Sequence, residues 1–177
     1  MSNRSLTACF TGHRPNKLGG YNESNAIMAD VKTRLESAID YALDSLDITT
    51  FISGTALGVD MIAAELVLKK REQFPRYGIR LIAAVPFEGQ ERMWPDTSQD
   101  RWHDILAQAD AVEYVCEPGY AAWKMQKLNA WMVDNSSLVI AVWDGTKGGT
   151  GNCVDYARKA EHKPRIIRID PLKDGRL

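Results

Sequence analysis

A chain of 177 residues, 45% hydrophobic and 25% charged, has ordinary globular composition and enough length for one sizeable core, so a single domain over residues 1–177 is expected. The formal net charge of −1 leaves no global basic field, which disfavours nucleic acid as a partner. Cys9, Cys116 and Cys153 are odd in number, widely spaced and without a CxxC pair, against both a disulfide framework and a structural zinc site, and a reducing cytoplasm fits them best. The N-terminus lacks a secretory apolar region, and no apolar run approaches the roughly 20 residues that span a bilayer, so no membrane insertion is expected.

Leu6 to Phe10 is a short apolar run followed by Thr11-Gly12-His13-Arg14-Pro15, and the proline discourages helix at Arg14, so a first strand and its outgoing loop are predicted. A long connection over Lys17 to Asn25, placed to cover a ligand, leads into an amphipathic helix from about Ala26, with apolar residues at helical spacing to Leu46. Phe51 to Glu65 reads as strand, glycine-bearing turn and helix. The helix from Met61 closes on Lys69, Lys70 and Arg71, cations suited to its C-terminal end. Ile79 to Val85 has the continuous apolar character of a strand buried on both faces. A helix follows from about Ser98, with Thr97 and Asp100 as a capping box. Ala111 to Val115 is a fourth strand, Trp123 to Asp134 a helix, Leu138 to Trp143 a fifth strand, Cys153 to Glu161 a helix, and Arg165 to Ile169 a sixth strand. This alternation predicts an α/β fold: a single Rossmann-like domain, with a mostly parallel sheet of about six strands and helices on both faces. Ligands in such folds sit outside the carboxyl ends of the strands, where the loops 11–15, 53–60, 86–94 and 144–152 gather.

Two of these loops are glycine-rich strand-to-helix turns, whose unpaired amides at a positive helix end attract an anion. Ser53, Gly54, Thr55, Gly58 and Asp60 form the central one, with Asp60 placed either to bond a ribose hydroxyl or to favour the helix dipole. Lys147, Gly148, Gly149, Thr150 and Gly151 form the other, where amides and an ammonium can wrap a phosphate. Gly12, His13 and Arg14 add a guanidinium fork at the end of the first strand, or else an exposed pair bridging to an acidic neighbour. Neither turn has the GxGxxG or GxxxxGKS/T spacing, which disfavours hydride transfer and ATP hydrolysis. Gln90 and Trp94 follow the third strand, Trp94 suited to stacking on a base, whereas Trp102, Trp123 and Trp131 lie in helical stripes that suit the core or a subunit interface. His103 and His162 read as solvated. Glu88 and Asp155, the latter expected to open the last helix, are the candidate catalytic carboxylates for cleavage of an N-glycosidic bond. No cluster has metal-ligand spacing.

TGHRP at 11–15, SGTALGVDMIAAE at 53–65, VPFEGQERMW at 85–94 and GGTG at 148–151 together resemble the YpsA-like proteins, formerly grouped as a domain of unknown function. These belong to the SLOG superfamily with the DNA-processing protein DprA and the cytokinin-activating LOG phosphoribohydrolases. The resemblance covers nearly the full chain and implies a Rossmann-like fold that binds nucleotides or derivatives such as ADP-ribose or NAD-related molecules. Ser53, Gly54, Gly58 and Asp60 match the SGGAxGxD pattern of DprA, with Thr55 in place of the second glycine. Against the PGGxGTxxE motif of LOG enzymes, Gly148, Gly149 and Gly151 fall on the glycines, Asn152 on the threonine and Asp155 on the last carboxylate, while the proline is absent. LOG activity is therefore not carried over, and neither is the DNA binding of DprA, since the chain lacks a strongly basic balance. The sequence thus predicts a binding module for a nucleotide-derived ligand, with an N-glycosidase as the alternative and an oligomeric interaction module as a third class. A homo-oligomer, in the first instance a dimer, is expected from the apolar stripe Trp123, Met125, Leu128, Trp131 and Met132.

Overall fold

The computed structural model describes residues 3–173. Six strands, β1 (Thr7–Gly12), β2 (Thr50–Ser53), β3 (Arg80–Val85), β4 (Ala111–Tyr114), β5 (Leu138–Val142) and β6 (Arg165–Ile169), form one parallel sheet in the order β4-β3-β2-β1-β5-β6. They alternate with α1 (Ala26–Leu46), α2 (Val59–Gln73), α3 (Asp96–Gln108), α4 (Ala122–Asp134) and α5 (Gly149–Lys159). Strand residues point alternately to the two faces, which divides the core in two. Phe10, Phe51, Leu81 and Ile140 face α1, α2 and α3, with the Phe10 and Phe51 rings stacked at 5.8 Å, while Cys9, Ile52, Val139 and Ala141 face α4 and α5. The central strands β1, β2 and β5 are buried along both faces, as their unbroken apolar runs require, and the edge strands β4 and β6 are only partly covered.

Strand order reverses at β1: the chain steps outward through β2, β3 and β4, then returns to lay β5 on the other side of β1. The loops leaving β1 and β5 therefore diverge from neighbouring strand ends to opposite faces and open a crevice between them. Helix α1 is fixed at its start by Asn25, whose side chain accepts from the Met28 amide at 2.9 Å, and at its end by Asp47 in the left-handed conformation.

Several local expectations change. Helix α5 begins at Gly149, not at Cys153, so the glycine turn is its first turn and Asp155 lies inside it. Helix α3 begins at Asp96 behind Pro95, and no Thr97 side-chain cap forms. His162 is half-buried, its Nε2 at 3.2 and 3.0 Å from the Val133 and Ser136 carbonyls. Most of the α4 stripe is spent within the chain. Leu128 and Met132 are buried, Trp131 packs on the core, Met125 lines a cavity, and only Trp123 is broadly exposed, at 59%. The apolar surface that motivates a dimer is thus largely internal. Among the described residues no helix is long and apolar enough to cross a membrane, and the three cysteines are free thiols.

Candidate functional site

At the crevice between β1 and β5 lies a cavity of about 340 Å³. Its walls are the β1 exit (Thr11 to Arg14), the side chain of Asp60 at the start of α2, the inner face of α4 (Met125, Leu128, Asn129, Met132), and the turn from Thr146 to Gly151.

Two glycines let the first wall form. A Cβ on Gly12 would stand 2.4 Å from the Cβ of Val59, and one on Gly58, at φ 95°, would stand 2.5 Å from the His13 carbonyl. The β1 exit can thus lie directly against the α2 start, where the Val59 amide donates to the His13 carbonyl at 3.3 Å. The central turn is otherwise closed on itself. The Ser53 hydroxyl donates to the Asp60 carbonyl at 2.7 Å and accepts from the Thr55 amide at 3.1 Å, and the Met61 amide donates to the Ala56 carbonyl at 3.3 Å. Thr55 is fully buried, and its hydroxyl accepts from Trp102 Nε1 at 3.0 Å and Gln90 Nε2 at 3.3 Å. Ser53, Thr55 and Gln90 hold the turn together and do not line the cavity. Gly54 makes room for the Asp60 carboxyl, whose Oδ2 would lie 2.7 Å from a Cβ at that position.

The opposite wall is open. Gly148 enters α5 at φ 148° with no side-chain cap, so the amides of the first helical turn, Gly149 to Gly151, have no partner within the helix. A Cβ on Gly149 would meet nothing within 4 Å, leaving the approach to those amides clear. Lys147 is exposed beside them, and Thr150, at 9% exposure, lines the cavity. Across the cavity Arg14 is exposed, with no ion-pair partner among the described residues. A mouth with a guanidinium, an ammonium and uncapped helix amides favours an anion.

The two walls are tied together by His13, read from the sequence as a ligand group, which instead bonds to Asp144. Buried His13 has Nε2 2.8 Å from Asp144 Oδ1. The Asp144 amide also lies 3.2 Å from this nitrogen, but a carboxylate so close requires a proton on Nε2, so His13 donates to Asp144. Asp144 Oδ1 also accepts from the amide (2.9 Å) and hydroxyl (2.6 Å) of Thr146, and Lys17 reaches both Thr146 and Asp144. Burial works against the Asp144 charge, but the bonds from Thr146 and His13 outweigh it and hold its pKa well below the usual carboxylate range. The available signal is Asp-Gly-Thr after a strand, a sequence suited to an Asx turn.

Asp60 is the reverse case. Its side chain is buried, and Oδ1 has no hydrogen-bond partner among the described residues. Burial pushes its pKa up to about 7, offset in part by the Arg14 charge and the Ala56 amide.

The remaining candidates lie elsewhere. Trp94 packs edge-on against Trp102 at 6.5 Å, within the main core. Glu88 is exposed and lines a separate hollow with Tyr114, Cys116 and Lys127. Asp155 is exposed on α5, 3.4 Å from Arg158. Neither carboxylate lines the cavity. The loop from Gly20 to Glu23 lines a neighbouring hollow rather than covering this one, and Arg101 holds Glu23 there together with Glu65. Among the described residues no group of three or more His, Cys, Asp or Glu is placed to hold a metal ion.

A six-stranded parallel sheet with its crevice at the switch in strand order defines a Rossmann-like α/β protein. The chain belongs to the family described as the YspA SLOG family, whose YpsA model matches residues 8–172. It is 33% identical over 159 residues to the uncharacterized SPbeta prophage-derived protein YoqJ of Bacillus subtilis, covering 83% of this chain and 91% of that one. It is 31% identical over 164 residues to a UPF0398 protein of Brevibacillus brevis, covering 90% and 86%. Among solved structures it is similar to DNA processing protein A from Helicobacter pylori, described for its single-stranded DNA binding mode, with TM-score 0.61, 19% identity and coverage of 93% of this chain and 65% of that one. DprA from Streptococcus pneumoniae matches with TM-score 0.59 and 16% identity over 96% and 53%. The chain spans less than two thirds of either DprA. The inference from net charge against nucleic acid does not stand, because this fold occurs in a protein that binds single-stranded DNA.

Proposed function

We propose that this protein binds a nucleotide or nucleotide-derived ligand, such as ADP-ribose or an NAD-related molecule, in the cavity between β1 and β5. The phosphate lies between Arg14 and the first turn of α5. The observation that carries the reading is that turn: uncapped, unobstructed at Gly149, flanked by Lys147 and faced by Arg14. The central glycine turn plays a different part, since the amides of Thr55, Val59 and Met61 are engaged within the chain. Binding is favoured over N-glycosidic cleavage because neither Glu88 nor Asp155 lines the cavity.

Calorimetry against AMP, ADP-ribose, NAD and a short single-stranded oligonucleotide tests the proposal. Arg14→Ala is expected to weaken phosphorylated ligands by about 1.5 to 3 kcal/mol, the usual range for a charge-assisted hydrogen bond, with little change in thermal midpoint. Gly149→Val has room for its side chain in the unliganded protein and is expected to fold and to lose binding. Absence of binding to every ligand, or equal binding by both variants, would refute the phosphate placement.

A further inference from the structure

Beside the anion cavity lies the second hollow, of about 450 Å³, and the two share a ridge built from residues 14–15 and 56–58. Neighbouring residues of the ridge face different spaces: Arg14 and Ala56 line the cavity, whereas Pro15, Leu57 and Gly58 line the hollow. Only a glycine at 58 allows the two segments to run so close, because a Cβ there would stand 3.1 Å from the Arg14 Cα and 3.2 Å from the Pro15 Cδ. The two spaces differ in charge. The cavity holds Arg14 and Lys147, neither of which has an ion-pair partner among the described residues. In the hollow the lining guanidinium is engaged: Arg101 bonds Glu65 at 2.5 and 2.6 Å and Glu23 at 2.5 Å, and the other oxygen of Glu23 lies 2.6 Å from Lys32. Two cations answer two carboxylates there, so the hollow has no free charge to attract a phosphate. Its lining is instead largely apolar. Met28 is buried, Leu57 packs on the main core, Pro15 and Pro95 add rigid rings, and Tyr21, at 64% exposure, offers an open aromatic face.

We propose that this hollow is the second half of the ligand site: it takes the uncharged heterocyclic base of the nucleotide, stacked on Tyr21 over Met28 and Leu57, while the phosphate lies across the ridge at the first turn of α5. The proposal rests on the anion-binding reading above and adds where the base lies. At about 340 Å³ the cavity alone is at the small end of sites for drug-sized ligands, about 300 to 1,000 Å³, and the hollow is the adjoining space that a longer ligand can enter. The division of labour sets the selectivity. An anion without a ring uses the cavity alone, and only a ligand carrying both parts gains from the ring of Tyr21.

The test compares ADP-ribose with inorganic pyrophosphate, the same anion without a base, by calorimetry on two variants. Tyr21→Ala removes the aromatic face, and Ser98→Trp, at a position that lines the hollow from the first turn of α3, fills the space with a large ring. Each is expected to weaken ADP-ribose about tenfold, the scale of one lost base-stacking contact, and to leave pyrophosphate affinity unchanged. If Ser98→Trp does not fold, Tyr21→Ala decides, because its side chain is exposed and its loss is expected to leave the thermal midpoint in place. ADP-ribose affinity that stays at the wild-type value in the folded variants puts the base elsewhere and overturns the proposal. Equal weakening of ADP-ribose and pyrophosphate overturns it too, since the hollow would then act only through the shape of the cavity. If the wild type binds ADP-ribose but not pyrophosphate, and the variants weaken ADP-ribose, the base placement is supported and the anion reading falls. Failure of the wild type to bind either ligand removes both.

Discussion

Thr55 occupies φ 50°, a conformation that a β-branched residue adopts at a cost of about 1 to 3 kcal/mol. The backbone keeps the turn that a glycine would make there, and the hydroxyl offsets the strain by accepting from the buried Trp102 indole at 3.0 Å. Thr55→Val keeps the branched shape and the strain but removes the acceptor. It is expected to lower stability by about 1 to 3 kcal/mol, measured as a shift in the urea midpoint at unchanged slope. An unchanged midpoint would mean that Trp102 finds another acceptor. The glycine pattern at 53–60 is legible in the sequence because spacing reveals it. The partnership with Trp102, 47 residues further on, is a tertiary fact with no local trace. The same applies to Asp60: its place in the first turn of a helix can be read, whereas its burial on the wall of a cavity shared with α4 is a tertiary fact.

Among the elements, five helices and six strands are legible from apolar period alone, and the errors fall at helix starts. Glycine is a poor helix former, so propensity places the start of α5 after Gly151, yet the structure winds Gly149 to Gly151 into the first turn. A local bond shapes the entry: Trp143 Nε1 donates to the Thr146 carbonyl, three residues on, at 2.7 Å across the turn ahead of the helix. Asp155 consequently sits on the outer face of α5 beside Arg158, apart from the cavity. Position along the chain cannot reveal which way a helical side chain faces when the helix start is misplaced. Helix α3 is joined to its neighbours by Arg101, which bonds Glu65 on α2 and Glu23 in the loop before α1. Arg101→Leu is expected to cost about 1 to 2 kcal/mol and to make residues 18–25 more susceptible to limited proteolysis, read by mass spectrometry of the first cleavage. Equal cleavage rates would show that the ion pair of Glu23 with Lys32, at 2.6 Å, holds the loop without Arg101.

For the whole molecule, the two unusual carboxyls give stability a defined pH dependence. Unfolded Asp60 titrates near the ordinary value of about 3.9, while in the folded chain burial moves it to about 7, against the pull of Arg14 and the Ala56 amide. Between about pH 4 and 7 the folded state holds a proton that the unfolded state has released, so stability falls as pH rises through this window, by at most about 1.4 kcal/mol per pH unit. Asp144, whose folded pKa is depressed, acts in the opposite sense, and its contribution is lost as pH falls below about 4. Urea midpoints across this range are expected to show the decline in the wild type and a flatter profile in Asp60→Asn. An equal slope in both would assign it to other groups. The parallel α/β plan was legible because every strand near the centre is apolar on both faces. Strand order was not, since nothing within a strand names its neighbour.

That order bears on when the ligand site can exist. Ala8 of β1 pairs with Leu138 of β5, a separation of 138 − 8 = 130 residues, and the cavity opens between those two strands. During synthesis β1 can pair with β2 early, but Arg14 faces no second wall until the ribosome has released β5 and the first turn of α5. Closing so long a loop is slow compared with local pairing. Completion of the pocket is therefore a late event in folding, and ligand captured there reports a chain that has joined its first strand to its fifth.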